Sequence, residues 1–370
     1  MRTGDSPQKA MTISTKLKKV LFKLSNLYFP FNHLSPERLQ EIVNHIRIIE
    51  LQQDEILQMR GSRSQDYLYL MEGEIDIICQ GNIRTINNPE ETQRSPILLP
   101  NENNSCSIIA KTNCIISHAN RDILDTIIAW DYIAHETLNT VQHIDTIRNT
   151  LVFQRLPIEY IQSAFSRMKP SHFSKGESIS ADKSDAYYLI ISGKAEVQTF
   201  DNIQNSFKRV TVLGIGDIFG DQAQVSTKKL NETVTMLEDS EVLILGKADY
   251  EELKSRPKVQ TVQSQVAKTM LDNGYKLLDV RYPEEYAENH IADATLLPLS
   301  ELSQQLKQLN KKQPYIVYCH SGPRSAVATL ILHENNIEAL SLEGGIRDWP
   351  YEVEQASAKP NVVPLANKFH

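Results

Sequence analysis

The sequence has little glycine, few cysteines and no long apolar run. Glycine supplies 14 of the 370 residues, about half of the usual ~7%, so its glycines must be placed carefully or replaced by substitutes. Four cysteines in a chain of this length exclude a disulfide scaffold, and their spacing excludes a zinc site, so a reducing, cytoplasmic setting is expected. No apolar run approaches the ~18–20 residues that a membrane-spanning helix needs. Neither a bound metal nor a cofactor is expected.

Positive charge is also scarce, since 46 acidic side chains face 39 basic ones and the formal net charge is -7. This balance argues against a nucleic-acid-binding protein. The basic N-terminus has an apolar stretch that Lys23 interrupts and lacks a small-residue cleavage site, so a secretory signal is not expected. Apolar residues at helical spacing over residues 15–28 predict an amphipathic helix that packs on the next domain, with a membrane-surface role as the alternative.

An internal repeat runs from residue 34 to residue 255. Residues 67–77 of the first copy align with residues 187–197 of the second, and Gly73 then lies opposite Gly193. Each copy opens with a short helix, continues in short strands separated by turn residues, and closes with another helix. Many short strands at close spacing predict an antiparallel jelly-roll barrel for each copy.

The strand–glycine–strand segments of both copies resemble those of cyclic-nucleotide-binding domains, the barrels of catabolite-activator-like regulators and kinase regulatory subunits. In the second copy, residues 214–221 also resemble the entrance to that family's phosphate-binding cassette. The resemblance implies a carboxylate on the ribose and an arginine on the cyclic phosphate. Asp221 takes the carboxylate position, but Leu230 stands where the arginine belongs, and a lysine replaces it only as a point charge. The candidate pocket residues are Gly220, Asp221, Lys228 and Lys229.

The first copy is shorter than the second where the cassette should lie, and residues 98–102 carry no matching motif. We therefore expect the first copy to be structural. A cyclic nucleotide stays open as a partner of the second copy but is disfavoured by the missing arginine. Helical residues 122–150 lie where barrels of this type dimerise, which suggests a homodimer.

The last hundred residues change pattern, because strands now alternate with helices. This alternation predicts a small α/β domain with a parallel sheet. The expected elements are a helix at Val259–Leu271, strands at Lys276–Val280, Ile316–Cys319 and near Leu340, and a helix at Ser325–His333.

A cysteine loop joins two of these elements, and it is the strongest chemical signal in the chain. Cys319 ends a strand, a tight turn follows, and a helix begins after Arg324. Loop amides, the helix N-terminus and the arginine together form an anion cradle, and each favours thiolate, so a depressed pKa of Cys319 is expected. The alternative is a buried strand-end cysteine. The candidate loop residues are His320, Ser321, Gly322, Pro323, Arg324 and Ser325.

This region resembles the rhodanese family over its full length. The matching segments are Leu278–Arg281, Glu285-Tyr286, His290-Ile291, the loop Cys319–Ser325, Leu342–Ile346 and Trp349. The resemblance implies a sulfurtransferase in which Cys319 attacks a sulfane-sulfur donor such as thiosulfate, holds a persulfide and passes the sulfur to a thiol acceptor. It also implies that Asp279 and Arg281 support the loop, and we expect them to form a fold-holding salt bridge.

Loop size separates this chemistry from its relatives. Four residues stand between Cys319 and Arg324, whereas related phosphatase and arsenate-reductase loops have five, which widens the cradle for a tetrahedral oxyanion. The shorter loop favours sulfur. His320 is expected to face the pocket mouth, and Cys106 and Cys114 are further candidates as resolving thiols.

Three positions that are glycine in the rhodanese pattern carry other residues, namely Asn289, Asp293 and Asn336. Asparagine and aspartate tolerate a positive φ better than other non-glycine residues. We therefore expect glycine's backbone conformation to be kept at these positions.

The chain is thus expected to be a multidomain protein with two antiparallel β jelly-roll barrels with flanking helices and a small α/β rhodanese domain. The expected function is a cytoplasmic sulfurtransferase regulated by the barrels, and the alternative is a non-catalytic sulfur, redox or ligand sensor. A transcription factor is excluded, because the α/β domain stands where a DNA-binding motif would follow the second barrel. The expected bounds are 1–28 for the basic segment, 29–150 and 151–255 for the two copies, 256–355 for the rhodanese domain and 356–370 for the tail.

Overall fold

The computed structural model describes residues 7–58, 66–79, 82–86, 96–97, 106–136, 151–180, 185–201, 206–220 and 232–355. The chain divides into two compact units: the first joins Met1–Asp131 with Thr261–His370, and the second is Tyr132–Gln260. Every helix within the described ranges is too short or too polar to span a bilayer. The last turns of the expected dimerisation helix, beyond residue 136, and the tail from residue 356 lie outside the described residues.

The first unit opens with two helices, α1 (Pro7–Leu27) and α2 (Pro36–Ile42). Val20 and Leu24 of α1 are buried in the apolar core of this unit. The hydroxyl of Tyr28 donates to the carbonyl oxygen of Leu70 at 2.9 Å, which ties the end of the helix to a strand. The amphipathic segment therefore packs on the following domain, as predicted.

Two antiparallel sheets follow in the first unit, in the orders β1-β7-β3 and β2-β6-β4-β5. Their inward side chains alternate with more exposed ones along strands such as β6, which is the period of a half-buried strand. The elements are β1 (Ile46–Leu51), β2 (Ile56–Gln58), β3 (Tyr67–Glu72), β4 (Ile75–Cys79), β5 (Asn82–Ile86), β6 (Cys106–Ala110), β7 (Cys114–Ala119) and the closing helix α3 (Arg121–Glu136).

Cys79 and Cys106 face each other in the register of β4 and β6 and form a disulfide. This pair departs from the expectation of a chain with reduced cysteines. It also removes Cys106 as a candidate resolving thiol, so that prediction is wrong. Sequence spacing alone did not indicate the pair, because sheet register brings the two thiols together.

The second unit repeats the two-sheet plan, with antiparallel sheets in the orders β13-β10-β15-β8 and β12-β11-β14-β9. Ile190, Val197, Phe219 and Val234 are buried in its core. The elements are α4 (Leu151–Gln154), α5 (Ile161–Arg167), β8 (Lys169–Phe173), β9 (Ser178–Ser180), β10 (Ala186–Ser192), β11 (Ala195–Asp201), β12 (Ser206–Leu213), β13 (Ile218–Phe219), β14 (Glu232–Met236), β15 (Ser240–Gly246) and the closing helix α6 (Lys247–Ser255).

Matching turns of the two copies make the same backbone contact. Asp54 has a φ of 65° and its N–H donates to the carbonyl of Ala110 at 2.7 Å. Gly176 has a φ of 85° and its N–H donates to the carbonyl of Met236 at 2.8 Å. The first copy therefore keeps with an aspartate a backbone conformation that the second copy builds with a glycine.

The glycines of the aligned strand–glycine–strand segments are also equivalent. Gly73 and Gly193 have φ values of 93° and 94°, and each follows a strand that is bulged against its partner. A Cβ on Gly73 would meet Cys114, and one on Gly193 would meet Ser240. Both positions need glycine for the same two reasons, which are positive φ and close approach of the next strand.

The C-terminal part of the first unit is an α/β domain whose five-stranded sheet, in the order β16-β21-β20-β17-β19, is wholly parallel, as predicted. Residues 259–271 were expected to be one helix, but a short strand precedes the helix that starts at Ser264. The elements are β16 (Thr261–Val262), α7 (Ser264–Asp272), β17 (Lys276–Asp279), α8 (Pro283–Glu288), β18 (His290–Ile291), β19 (Thr295–Leu296), α9 (Leu299–Gln305), β20 (Tyr315–Tyr318), α10 (Pro323–Glu334), β21 (Ala339–Leu342) and β22 (Val353–Glu354).

Two of the three predicted glycine substitutes have positive φ. Asp293 has a φ of 62° and Asn336 a φ of 58°, so the expectation is confirmed there. Asn289 has an extended φ of -164°, so the expectation is wrong at this position. Its backbone oxygen accepts a hydrogen bond from Arg281 at 2.7 Å, which holds the chain extended where α8 ends.

Candidate active site

The cysteine loop lies at the carboxyl edge of the parallel sheet. Cys319 is the first residue after β20, and the neighbouring strand β17 ends beside it at Asp279. Gly322, with a φ of 132°, immediately precedes α10, and Pro323 occupies the first helical position, where its missing N–H costs nothing. The strand, the tight turn and the helix follow one another in the predicted order. The helix was expected to begin after Arg324, but it begins at Pro323, whose ring suits the first helical position, and so includes Arg324.

Hydrogen bonds within the loop hold the sulfur of Cys319. The N–H of Gly322 donates to Cys319 Sγ at 3.1 Å, and the Ser325 Oγ lies 3.6 Å from the sulfur. Ser325 also donates to the Gly322 carbonyl at 2.9 Å and shares a hydrogen bond with Ser341 Oγ at 2.8 Å. The loop amides and hydroxyls thus form a preorganised polar pocket around the cysteine.

The glycine pair after β21 supports the loop from behind. A Cβ on Gly345, whose φ is 61°, would come within 2.5 Å of the carbonyl oxygens of Cys319 and His320. The bare backbone lets the N–H of Ile346 donate to the Cys319 carbonyl at 3.0 Å and that of Arg347 to the His320 carbonyl at 3.1 Å. The closing glycine therefore fixes the loop through its carbonyl groups.

Asp279 and Arg281 form a fully buried ion pair beside the loop. Arg281 Nη2 lies 2.6 Å from Asp279 Oδ2, and Arg281 Nε lies 2.9 Å from Asp279 Oδ1. Such a planar, bidentate pair fixes the guanidinium and satisfies both charges. The arrangement is the fold-holding salt bridge that the sequence suggests.

Arg324 is held by two carboxylates in the interior. It donates to Glu285 Oε2 at 2.7 Å and to Glu285 Oε1 at 2.9 Å, and its Nε donates to Asp125. Burial raises the pKa of Glu285, but the Arg324 guanidinium outweighs it and lowers this pKa to about 2. The sequence marked Glu285 only as part of a family pattern, and its pairing with Arg324 is visible only in the fold.

Asp125 of α3 is the site residue that sequence reasoning missed altogether. Its Oδ2 accepts from the N–H and the hydroxyl of Ser321, both at 2.7 Å, and from the Cys319 thiol at 3.3 Å. Burial raises the pKa of Asp125, but Arg324 and the Ser321 hydrogen bonds leave it lowered overall. The residue stands 194 positions before Cys319 in the chain, and no local pattern marks it.

His320 is buried instead of facing a pocket mouth, so that expectation is wrong. Only 2% of its side chain is exposed, and its Nε2 lies 3.3 Å from Asp122 Oδ1. Asp122 also accepts a hydrogen bond from Arg347 at 2.6 Å. Burial lowers the pKa of His320, although the nearby Asp122 carboxylate opposes the shift.

The expected depressed pKa of Cys319 is contradicted by its surroundings. Burial raises the pKa of this thiol to about 12, and the negative charge of Asp125 adds to the effect, while Arg324 opposes it. The sequence showed the arginine and the helix N-terminus but neither the burial nor the carboxylate. In this conformation Cys319 is a neutral thiol that donates a hydrogen bond.

The candidate nucleotide pocket of the second copy is described only at its first residue. Gly220 follows β13 with a φ of 95°, and the carbonyl oxygen of Ala186 lies where a Cβ would stand. A side chain there would strike the backbone, so glycine is needed for close packing. Asp221, Lys228 and Lys229 lie outside the described residues.

Two family models match the chain. The rhodanese-like domain matches residues 262–351, and the cyclic nucleotide-binding domain matches residues 170–256. The expectation of two tandem barrels of the latter family is thus supported for the second copy only. Both matches include a region that the sequence had singled out, the cysteine loop in one and the residues after Gly193 in the other.

Known proteins resemble parts of the chain. Thiosulfate sulfurtransferase GlpE of Coxiella burnetii is 33% identical over 86 residues, which cover 23% of this chain and 80% of that protein. Uncharacterized protein YqhL of Bacillus subtilis is 34% identical over 95 residues, which cover 24% of this chain and 75% of that protein. The regulatory domain of Toxoplasma gondii PKA with cAMP is 14% identical with a TM-score of 0.28 and covers 70% of this chain and 97% of that one. The chain belongs to the rhodanese-like family through residues 262–351, and it carries a cyclic nucleotide-binding domain at residues 170–256.

Proposed function

We propose that the C-terminal domain is a sulfurtransferase that accepts sulfur on Cys319. The observation that carries this proposal is the loop itself, in which the Ser321 N–H, the Ser321 hydroxyl and Arg324 all point at one negatively charged group beside the sulfur. Thiosulfate, a sulfane-sulfur donor, is an anion, and N–H, O–H and guanidinium groups of this kind bind anions through hydrogen bonds. A nucleophile placed next to an anion cradle suits transfer from a donor of this kind.

The proposed chemistry is a displacement at sulfur. The Cys319 thiolate attacks the outer sulfur of thiosulfate, a sulfur–sulfur bond forms on the enzyme, and the donor's sulfur–sulfur bond breaks. Sulfite leaves with the electron pair of that broken bond. A thiol acceptor, or cyanide in an assay, then takes the outer sulfur of the persulfide and restores the thiolate. The Arg324 guanidinium and the loop amides would balance the negative charge throughout.

Loop size favours sulfur over phosphoryl or arsenate chemistry. Only four residues separate Cys319 from Arg324, so the ring of donors is narrow. The Coxiella relative is named a thiosulfate sulfurtransferase, which agrees with this choice, and its similarity spans 23% of the present chain. Asp279, Arg281 and Gly345 would act as positioning residues that keep the loop in shape.

The proposal is tested by incubation with thiosulfate, followed by mass spectrometry of the intact protein and measurement of sulfite. We expect Cys319 to gain the mass of one sulfur atom and an equal amount of sulfite to appear. Cys319→Ser should abolish both signals, whereas Cys114→Ser, at a buried cysteine outside the loop, should keep them. If neither the wild type nor Asp125→Asn gains sulfur or releases sulfite, the sulfurtransferase proposal is rejected.

A non-catalytic sensor is the second candidate, and the state of Cys319 favours it. Burial holds the pKa of this thiol at about 12, so little thiolate exists at neutral pH. A sensor would take up one sulfur per chain and keep it, whereas an enzyme would pass sulfur repeatedly to cyanide. Thiocyanate formed per chain therefore distinguishes the two functions.

For the barrels we propose a regulatory role, in which the first copy is a degenerate cyclic-nucleotide-binding-like domain. Its support is the turn contact shared by Asp54 and Gly176 and the shared glycine before the second hairpin. A thermal-shift measurement with cyclic AMP and cyclic GMP tests the second copy. No shift is expected, because Leu230 replaces the phosphate-binding arginine that the resemblance implies. A shift that Asp221→Ala abolishes would contradict this expectation.

A further inference from the structure

The anion cradle of the cysteine loop is already filled by a side chain of this same chain. Asp125 of α3 accepts from the Ser321 N–H and hydroxyl at 2.7 Å, from the Cys319 thiol at 3.3 Å and from Arg324 Nε. These are the donors that an anionic sulfur compound would need. A carboxylate therefore stands where the proposed substrate's negative charge would lie.

The same contact closes the site to solvent. Cys319 is fully buried, and only 2% of Arg324 is exposed. The Asp125 side chain is itself fully buried, so it fills the space between the loop and α3. A donor molecule reaches the sulfur only after this carboxylate has moved.

Asp125 also disfavours the reactive form of the nucleophile. A negative charge within 3.3 Å of the sulfur opposes a second negative charge on it. Burial raises the pKa of Cys319 to about 12, and Asp125 is the next largest cause. The carboxylate thus acts on the cysteine by its charge as well as by its volume.

Further side-chain contacts hold α3 against the cysteine loop. Asp122, one turn before Asp125 on the same face of the helix, accepts from Arg347 at 2.6 Å and lies 3.3 Å from His320. Arg121 approaches Glu285, the partner of Arg324, at 3.9 Å. Three residues of one helix therefore engage both the loop and the residues that support it.

We infer that Asp125 is a built-in inhibitor that occupies the donor site of the rhodanese-like domain, and that sulfur uptake requires α3 to withdraw it. The inference rests on the proposed sulfurtransferase function and adds its regulation. An anionic donor and Asp125 compete for the same amides and the same guanidinium. Withdrawal of the carboxylate exposes Cys319 and at the same time frees Arg324 to stabilise its thiolate.

Alkylation of Cys319 by iodoacetamide at neutral pH tests the inference without any assumption about sulfur transfer. Asp125→Asn keeps the shape but removes the charge, and Asp125→Ala removes both. We expect each variant to be alkylated at least about tenfold faster than the wild type, because each weakens the ionic contact that holds α3 over Cys319 and removes the negative charge beside its sulfur. Glu136→Gln, which alters an exposed carboxylate of the same helix, should leave the rate unchanged. Equal rates in the wild type and both Asp125 variants would overturn the inference.

Cys114 serves as an internal reporter of unfolding, since it is a free and buried cysteine of the first copy. Withdrawal of α3 alone exposes Cys319 and leaves Cys114 protected, which peptide mass spectrometry resolves. If Asp125→Ala also exposes Cys114, then Asp125→Asn decides the question. If both variants also expose Cys114, the wild type decides the question. Alkylation of wild-type Cys319 as slow as that of Cys114 supports the inference. Alkylation as fast as that of a small thiol in solution overturns it.

A thiosulfate assay on the same proteins separates this inference from the proposed function. We expect Asp125→Asn to gain sulfur on Cys319 at least about tenfold faster than the wild type. If the Asp125 variants expose Cys319 to iodoacetamide but no variant gains sulfur, the inhibitory contact stands and the sulfurtransferase proposal fails. If the wild type gains sulfur as fast as Asp125→Asn, the sulfurtransferase proposal stands and the inhibition fails.

Discussion

The two copies of the repeat have an acidic residue at the same position of the closing helix, but it is buried in one copy and exposed in the other. Asp125 is the fifth residue of α3, and Glu251 is the fifth residue of α6. Asp125 is fully buried among the donors of the cysteine loop. Glu251 is half exposed and lies 3.4 Å from Lys254 on the surface of its own helix.

The difference shows that function comes from the surroundings of a repeated element and not from the element itself. An exposed pair such as Glu251–Lys254 is screened by water and contributes at most about 1 kcal/mol. The same charge in a dry site acts on every neighbour, because the effective dielectric constant is low. The first copy shares its unit with the α/β domain, and that packing turns a helix carboxylate into a ligand of the active loop.

The largest expected effect tests this comparison directly. Asp125→Asn should lower the free energy of unfolding of the first unit by about 2–4 kcal/mol, because Arg324 loses a buried partner but keeps Glu285. Glu251→Gln should change the stability of the second unit by less than about 0.5 kcal/mol. Both tryptophans, Trp130 and Trp349, belong to the first unit. Urea unfolding followed by tryptophan fluorescence therefore reports the first change and circular dichroism the second. Equal losses of unfolding free energy in Asp125→Asn and Glu251→Gln would contradict the difference between the two residues.

Acid should weaken the buried network more than the exposed one. Glu285 has a pKa of about 2 in the fold against ~4.3 in the unfolded chain, so its stabilisation is complete above ~4.3 and is lost as the pH falls towards 2. The folding equilibrium constant of the first unit should fall on the order of a hundredfold from this group over that range. Glu285→Gln should remove this dependence, as seen by tryptophan fluorescence in urea at each pH. Glu72, a more exposed carboxylate of the same unit that pairs with Lys19, serves as the control, and a Glu72→Gln variant that removed as much acid dependence would contradict the prediction.

Replacement of either paired glycine should lower stability by a similar amount, because the two copies share a backbone framework. Gly73→Ala and Gly193→Ala should each cost about 2 kcal/mol or more, because positive φ and a close neighbouring strand act together. Gly176→Ala has the same sign of φ but no neighbour close to the Cβ among the described residues, so a loss of about 1 kcal/mol is expected. Thermal melts by circular dichroism measure all three. A large loss at only one of the paired glycines would show that the copies differ there.

The smallest loss of stability is expected at Gly176, because the first copy has an aspartate at the equivalent position. Gly176→Asp copies Asp54 into the second copy, at a turn where both residues have positive φ and no atom of the described residues lies near the new Cβ. We expect a loss of less than about 1 kcal/mol, smaller than that of Gly176→Ala, because aspartate tolerates this conformation better than alanine. The same thermal melt measures it. A larger loss than for alanine would contradict the equivalence of the two turns.

Much of the architecture could be predicted because it depends on local pattern. The parallel sheet follows from strands alternating with helices, and the positive φ of Asp293 and Asn336 follows from residue types that tolerate it. The extended Asn289 escaped prediction, because a distant guanidinium holds its backbone oxygen. The Cys79–Cys106 disulfide escaped it as well, since strand register and not sequence spacing brings these sulfurs together.

Local sequence predicts the loop, because a cysteine, a glycine and an arginine stand at fixed spacing where a strand ends and a helix begins. It does not predict the chemical state of that loop. Local residues argue for a thiolate, because Arg324 and the helix N-terminus favour negative charge on Cys319. The tertiary structure reverses this, because it buries the sulfur and sets beside it a carboxylate from 194 residues away. Electrostatic interactions depend on distance in space and on exclusion of water, and only the folded chain sets either of these.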